Sequence, residues 1–80
     1  MIDHAKVARG LSRGQKSTVL HMDAEFRMLG CSEATAIRLS KPYGLRPALT
    51  TSRKSEAGIL LFALNADGLA VQKHLTGQVA

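Results

Sequence analysis

The feature that most limits the fold of this chain is a run of six apolar residues, Ile59 to Leu64, followed directly by Asn65. Side chains alternate between the two faces of a β-strand, so a strand formed by this run has two apolar faces, and both need cover. The run is also far shorter than the ~20 residues that cross a bilayer. It predicts a buried strand within a small domain and no transmembrane segment.

Length and composition allow one small domain. The chain has 80 residues, 45% of them hydrophobic and 21% charged, which is the balance of a globular protein rather than a disordered one. Its single cysteine, Cys31, cannot form an internal disulfide and fits a reducing compartment. No signal-peptide pattern is visible. We expect a cytoplasmic protein with one domain over residues 1–80, in which residues 1–11 form either a short extra helix or a flexible arm.

Three helices are predicted where a capping residue precedes a helical pattern. The expected ranges are 13–22, 33–40 and 66–76. The first helix opens with a capping box formed by Ser12 and Gln15. The second is capped by Ser32 and ended by Pro42, because the residue before a proline disfavours helical geometry. The third is capped by Asn65 and closed by Gly77 in the left-handed conformation.

The second helix carries two pairs of apolar residues at a spacing of three, Ala34 with Ile37 and Ala36 with Leu39. We expect these pairs to form its buried stripe. Arg38 and Lys41, also three apart, are expected to share the outward face. This helix is the predicted recognition element.

Extended structure is predicted in two further places. Residues 25–29 alternate polar and apolar side chains and end at Gly30, which indicates a short strand. Residues 45–51 also alternate, and Pro47 limits them to an edge strand or to the start of a strand. The polar, doubly basic stretch Ser52 to Gly58 is predicted to be the loop of a hairpin that returns through Ile59 to Leu64.

Positive charge is concentrated in the middle of the chain. The protein has 11 Lys and Arg residues against 6 Asp and Glu, a net charge of +5. No acidic residue lies between Ala34 and Ser55, where five are basic: Arg38, Lys41, Arg46, Arg53 and Lys54. A cluster of cations favours a polyanion, since binding releases its counterions, although a merely solvated face is the alternative. The chain has two Phe, one Tyr and no Trp, so it has few side chains that could stack on unpaired bases. Double-stranded nucleic acid is therefore a better expected partner than single-stranded nucleic acid.

Two segments resemble winged helix-turn-helix proteins. Leu60 to Val71 is similar to the family's passage from wing strand to last helix, with Asn65 in place of the usual threonine. Ser32 to Leu39, followed by Gly44-Leu45-Arg46, is similar to its recognition helix and the basic strand after it. The resemblance covers roughly residues 12–76. It implies a winged-helix-like α+β fold with three helices and a small antiparallel hairpin, although Asp23 to Gly30 lacks the scaffold helix that completes a helix-turn-helix unit.

The resemblance also implies a nucleic-acid-binding surface. Thr35 and Arg38 are expected to touch base edges, and Lys41 and Arg46 to contact phosphates. Arg53 and Lys54 are expected at the hairpin tip, where they reach the flanking backbone or the minor groove.

No pattern predicts catalysis, a metal site or a cofactor. Cys31 precedes a helix, where a thiol pKa can fall, but no base accompanies it in a recognisable motif. His4, His21 and His74 are dispersed and lack metal-ligand spacing. We therefore expect a protein that is not an enzyme.

Two functions are compatible with these features. The first is a transcriptional regulator of bacterial or phage origin that binds double-stranded DNA. The second is an inhibitor from a phage or another mobile element, similar to anti-CRISPR proteins in size, that binds a host protein or nucleoprotein complex and blocks its DNA binding. No membrane partner is expected. A homodimer stays open, because the second face of the strand (Ile59, Leu61 and Ala63) needs a cover.

Overall fold

The computed structural model describes residues 2–77 of the chain. These residues form an α+β fold, as expected. In chain order the elements are α1 (His4–Gly10), α2 (Arg13–His21), a 3-10 turn (Gly30–Ser32), α3 (Glu33–Leu39), β1 (Thr50–Lys54), β2 (Leu60–Leu64) and α4 (Ala66–Thr76). The described part thus has four α-helices where three were expected. The additional helix is α1, which lies in the segment 1–11 for which a short helix or a flexible arm was predicted.

Side-chain caps fix where the helices begin. The capping box is confirmed: the Gln15 amide donates to Ser12 Oγ at 3.2 Å, and the Ser12 amide to Gln15 Oε1 at 2.9 Å. Asn65 Oδ1 accepts from the third amide of α4 at 2.8 Å, and Gly77 ends this helix at φ 72°. Ser32 makes no capping bond with its side chain. The 3-10 turn before α3 leads directly into the helix and takes the place of that cap.

The first strand of the hairpin lies later in the chain than the sequence predicted, while the second lies where it was expected. β1 pairs antiparallel with β2, from Thr50 opposite Leu64 to Lys54 opposite Leu60. The predicted hairpin is thus present with its returning strand, but the bounds predicted for the first strand (45–51) and the loop (52–58) are wrong: the strand begins at Thr50, and the loop is reduced to residues 55–59. Most side chains of β1 are exposed, which explains why its composition resembles that of a loop. The register of β1 is set by pairing with β2 and not by an alternation of apolar and polar residues in β1 itself.

The connection between α2 and α3 runs along the other edge of β2. Arg27 and Phe62 exchange two backbone hydrogen bonds of 2.9 and 2.8 Å, and the Leu64 amide donates to the Asp23 carbonyl at 2.8 Å. The strand predicted over residues 25–29 is reduced to one isolated bridge. In the described structure, residues 23–29 contain no α-helix, as the missing scaffold pattern indicated.

The core lies between the helices and the inner face of the hairpin. Its largest fully buried side chains are Val19, Leu39, Leu49, Phe62 and Val71. The prediction for α3 is half right: one apolar pair is buried, but Ala34 is exposed and the Ile37 side chain is 40% exposed. Since the covered side of α3 is already filled by the other pair, Ala34 and Ile37 lie on the accessible side.

The last helix ties the N-terminal helices to the core. The His4 imidazole lies 2.9 Å from the Asp67 carboxylate and links α1 to α4. The Gln72 side-chain amide donates to the Val19 and Met22 carbonyls at 2.9 and 2.6 Å. These carbonyls lie at the C-terminal end of α2, where helical partners are lacking. The Val19 carbonyl also accepts the Met22 amide at 3.2 Å, so Gln72 adds to this cap and supplies a donor to the Met22 carbonyl.

Candidate nucleic-acid interface

Helix α3 is held firmly on one side and is open on the other. The buried Thr50 hydroxyl donates to the Ala36 carbonyl at 2.7 Å, and the Leu49 amide donates to the Leu39 carbonyl at 2.8 Å. Both bonds join α3 to the start of β1. The opposite side, which carries Ala34 and Arg38, is exposed.

Three of the predicted cations come together on that open side. Arg38, Lys41 and Arg46 line one shallow depression at the C-terminal end of α3. We call this depression the basic surface; its lining is Ala34, Ile37, Arg38, Lys41, Pro42, Tyr43 and Arg46. One cation from the helix and two from the chain beyond it thus share a surface with apolar side chains.

Arg46 is built into the fold more deeply than a phosphate contact requires. Its Nη2 donates to the Lys41 carbonyl at 3.2 Å and reaches the Arg38 carbonyl at 3.5 Å. A positive charge at the C-terminal end of a helix is favourable. Its Nε is buried and has no hydrogen-bond partner among the described residues. Arg46 therefore fixes the chain that leaves α3, while its charge adds to the basic surface.

A tight turn after α3 is the feature that sequence reasoning missed. Tyr43 and Arg46 exchange two backbone hydrogen bonds of 3.0 and 2.9 Å, with Gly44 and Leu45 between them. Gly44 has φ +59°, and a glycine with positive φ at the first central position is the pattern of a type II′ hairpin turn. The turn leaves Tyr43 77% exposed and Leu45 93% exposed. Gly44 is the signal for this turn in the sequence, whereas the alternating pattern of residues 45–51 predicts Leu45 within a strand.

Thr35 lies beside the basic surface rather than in it. Together with Arg38 it lines a second depression, whose other wall is the start of α2 with Ser12, Gly14 and Gln15. Thr35 is half-buried there. Arg38 lines both depressions and connects them into one continuous surface.

Arg53 and Lys54 lie apart from the other predicted residues. They are consecutive in β1, so their side chains point to opposite faces of the hairpin, and neither lines the basic surface. The Arg53 guanidinium carbon lies 4.4 Å from the centroid of the Phe26 ring, a cation–π arrangement. The structure therefore places both residues within the strand and not at the hairpin tip.

Three carboxylates of the described chain pair with basic side chains away from the basic surface. Arg27 binds Asp23 at 3.1 Å and Glu25 at 2.9 Å, and the His4 imidazole lies 2.9 Å from the Asp67 carboxylate. The pKa of the Asp23 carboxyl lies below its ordinary value, first because it accepts the Glu25 backbone N–H and then because Arg27 donates to it.

None of the five predicted cations forms an ion pair within residues 2–77. Their charge is therefore available to a partner.

The structure also places the candidate metal ligands and the cysteine of residues 2–77. No three His, Cys, Asp or Glu side chains are grouped so that they could hold a metal ion. Cys31 is exposed. Among the helices of this part of the chain, none has both the length and the apolar character that crossing a membrane requires. Comparison of the chain with protein-family models, curated proteins and solved structures gives no match.

Proposed function

We propose that this protein binds double-stranded DNA through the basic surface, as a small transcriptional regulator with a winged-helix-like arrangement. The observation that carries the proposal is the grouping of Arg38, Lys41 and Arg46 at the open side of α3 without a carboxylate partner. Clustered cations gain affinity for a duplex because they release its condensed counterions.

The dimensions of α3 suit the major groove. An α-helix with its side chains is about 10–12 Å in diameter, and the major groove of B-DNA is about 12 Å wide, so α3 can enter the groove with its exposed side. On the accessible side, Arg38 is the residue type that binds guanine edges with two hydrogen bonds, and Thr35 can bond to either base type. Lys41 follows the helix end, where phosphates flank the groove.

The order of elements around α3 supports the winged-helix arrangement. A hairpin and a final helix follow α3, as in the family that the sequence resembles. A scaffold helix directly before α3 is replaced by an extended segment. Contacts with α2 and the hydrogen bonds from Leu49 and Thr50 hold α3 instead. The proposal therefore rests on a supported helix, not on a complete helix-turn-helix unit.

The test is a titration of a labelled duplex of about 20 base pairs, followed by fluorescence anisotropy from about 50 to 200 mM salt. The test variant is the double substitution Arg38→Gln with Lys41→Gln. The matched control is Arg9→Gln with Lys73→Gln, which removes the same charge from two exposed residues of α1 and α4 that do not line the basic surface.

Each lost phosphate contact should reduce the salt slope by about 0.9, so the test variant should lose about 1.8 and the control should keep the wild-type slope. Absence of binding at about 50 mM salt would refute the proposal. Equal loss in both double variants would show that net charge alone acts, and would refute this surface as the site.

A second candidate function is capture of a protein or nucleoprotein complex, as in the mobile-element inhibitors considered above. The exposure of Tyr43 and Leu45 beside arginines favours it, because aromatic residues and arginine are enriched at protein interfaces. Two results together would favour this second function over DNA binding. Tyr43→Ala would abolish a contact with a protein partner, and the titration above would show no salt-dependent binding of duplex.

A further inference from the structure

A groove lined mainly by apolar side chains lies between α1 and the turn that Tyr43 and Arg46 close. Its lining includes Val7 and Leu11, which belong to the core or pack against it, and three exposed residues: Ile2, Tyr43 and Leu45. Exposed apolar side chains that occur singly are ordinary, but several around one depression mark an interaction site. The groove has a volume of about 480 Å³, which lies within the ~300–1,000 Å³ of typical binding pockets.

Both walls of the groove are held by the fold. One wall is the face of α1 that carries Lys6 and Gly10, four residues apart, and α1 packs against α4. The other wall is the turn, which two backbone hydrogen bonds between Tyr43 and Arg46 close. The Arg46 guanidinium ties this turn to the end of α3 through the Lys41 carbonyl, 3.2 Å away. Because the walls are fixed in advance, little ordering of this chain is needed when a partner binds.

Positive charge accompanies the apolar lining. Lys6 and Arg46 line the groove, and Arg46 also lines the basic surface, together with Arg38 and Lys41. The lining contains one carboxylate, that of Asp3, which accepts the Lys6 backbone amide at 3.1 Å as the cap of α1. The groove and the basic surface thus adjoin and hold four cations against one carboxylate. This charge is complementary to a partner that carries carboxylates.

We propose that this groove binds an acidic, amphipathic segment of a partner protein. Apolar side chains of the segment pack against Val7 and Leu45, as amphipathic helices do in apolar grooves, and its carboxylates lie beside Lys6 and Arg46. A nucleic-acid backbone would leave the apolar lining without a partner. A second copy of this chain would bring its own net charge of +5 to a cationic surface, which is unfavourable. The inference rests on the candidate function of protein capture and is independent of duplex binding.

The experiment selects binders of the wild-type protein from a displayed library of random peptides of about 15 residues, a length that allows about four helical turns. The enriched peptides are synthesised, and fluorescence anisotropy measures their affinity for wild type and variants. The groove variant is Ile2→Ser with Leu45→Ser. Its matched control is Met28→Ser with Ile59→Ser, which truncates two exposed apolar side chains outside the groove. Circular dichroism confirms that the variants are folded, as expected for exposed positions.

A second pair of variants tests the charge of the groove. Lys6→Gln removes a cation that lines the groove but not the basic surface. Lys73→Gln is the matched control, because it removes an exposed helical lysine that lines neither.

The enriched peptides should combine large apolar residues with an excess of Asp and Glu. The groove variant should bind them about tenfold more weakly or worse, as expected when interface anchors are truncated. Lys6→Gln should bind them about two- to fivefold more weakly, and both controls should bind them as tightly as wild type does.

Three results would overturn the inference: no enriched peptide, enriched peptides without an excess of acidic residues, or equal binding by wild type and the groove variant. Dimers that wild type forms and the groove variant does not would assign the groove to a second copy, and would overturn it as well. The duplex titration is read separately, and the groove variant should keep the wild-type salt slope there. Absence of duplex binding would therefore refute the DNA-binding proposal and leave the peptide result to decide this one.

Discussion

The substitution Gly68→Ala tests how tightly α4 is seated on the chain that leads into β1. Gly68 is buried in the first turn of α4. A Cβ atom added there would lie 2.1 Å from the Leu49 carbonyl oxygen and 3.0 Å from Leu64 Cδ2. Real Cβ atoms essentially never approach closer than 3.0 Å, so helix and carbonyl would have to separate by about 0.9 Å. That movement also strains the bond from the Asn65 amide to the same carbonyl, now 3.1 Å.

The expected loss of stability follows from opposing effects. Overpacking a closed core costs about 1–3 kcal/mol and occasionally more, and a weakened buried hydrogen bond adds about 1 kcal/mol. Alanine offsets about 1 kcal/mol through its higher helix propensity. We expect Gly68→Ala to lower the free energy of unfolding by about 1–3 kcal/mol, a large share of the ~4–12 kcal/mol typical of 80 residues.

The matched control is Gly14→Ala in the first turn of α2. An added Cβ meets no atom within 4 Å there, so only the backbone effect remains, and stability should rise by up to about 1 kcal/mol. Urea unfolding measures the stability of both variants. It is followed by circular dichroism at about 220 nm, which reports helix content. The reasoning fails if Gly68→Ala is as stable as the wild type, or if the two substitutions destabilise equally.

Two further predictions concern polar contacts outside the basic surface. Asn65→Ala removes the cap of α4 and the hydrogen bond that the Asn65 side-chain amide donates to the Ala48 carbonyl at 2.7 Å. Urea unfolding should therefore show that the free energy of unfolding falls by about 2–3 kcal/mol. Asn65→Asp keeps the cap, so it should lower the free energy of unfolding by less. Arg27→Ala should raise the pKa of Asp23 only part of the way to its ordinary value near 3.8. The hydrogen bond from the Glu25 backbone N–H is the larger cause of the lowered pKa, and it remains in the variant. A carboxyl titration by NMR measures this. Since the pKa is lowered in the fold, the stability that Asp23 contributes is present above pH ~4 and is lost as pH falls through the folded value.

Local signals explain why the helix ends could be predicted from the sequence. The capping box at Ser12 and Gln15, the cap at Asn65 and the left-handed Gly77 act within a few residues. These bonds need only residues within one turn, so the pattern predicts them well; it fails at Ser32, where a 3-10 turn leads into α3 and no side-chain cap forms. The strand β2 was also predictable. A short apolar run bounded by polar residues is consistent with a buried strand, and this run is shorter than a typical helix.

The errors occur where distant residues decide. Thr51, Ser52 and Arg53 have a composition typical of a loop, yet they pair with β2 because an exposed edge strand tolerates polar side chains. Ala34 and Ile37 have the spacing of a buried pair, but the space beneath α3 is filled by other side chains.

The candidate site was predictable only in part for the same reason. The acid-free stretch of the sequence brought together Arg38, Lys41 and Arg46, which lie close along the chain and end on one surface. The strand cations Arg53 and Lys54 were grouped with them by sequence proximity, and the register of the hairpin separates them. The exposure of Leu45 depends on the turn closed by Tyr43 and Arg46, a contact that the alternating pattern concealed.

The most direct measurement of the central claim is an NMR titration of the uniformly ¹⁵N-labelled protein with an unlabelled duplex at about 50 mM salt, where phosphate contacts are strong. The amide signals of residues 34–46 should shift together in proportion to bound duplex, while those of Lys73 and His74 at the far end of α4 stay in place. Absence of any shift, or shifts centred on the contact between α1 and α4, would contradict the assignment of the basic surface as a DNA interface.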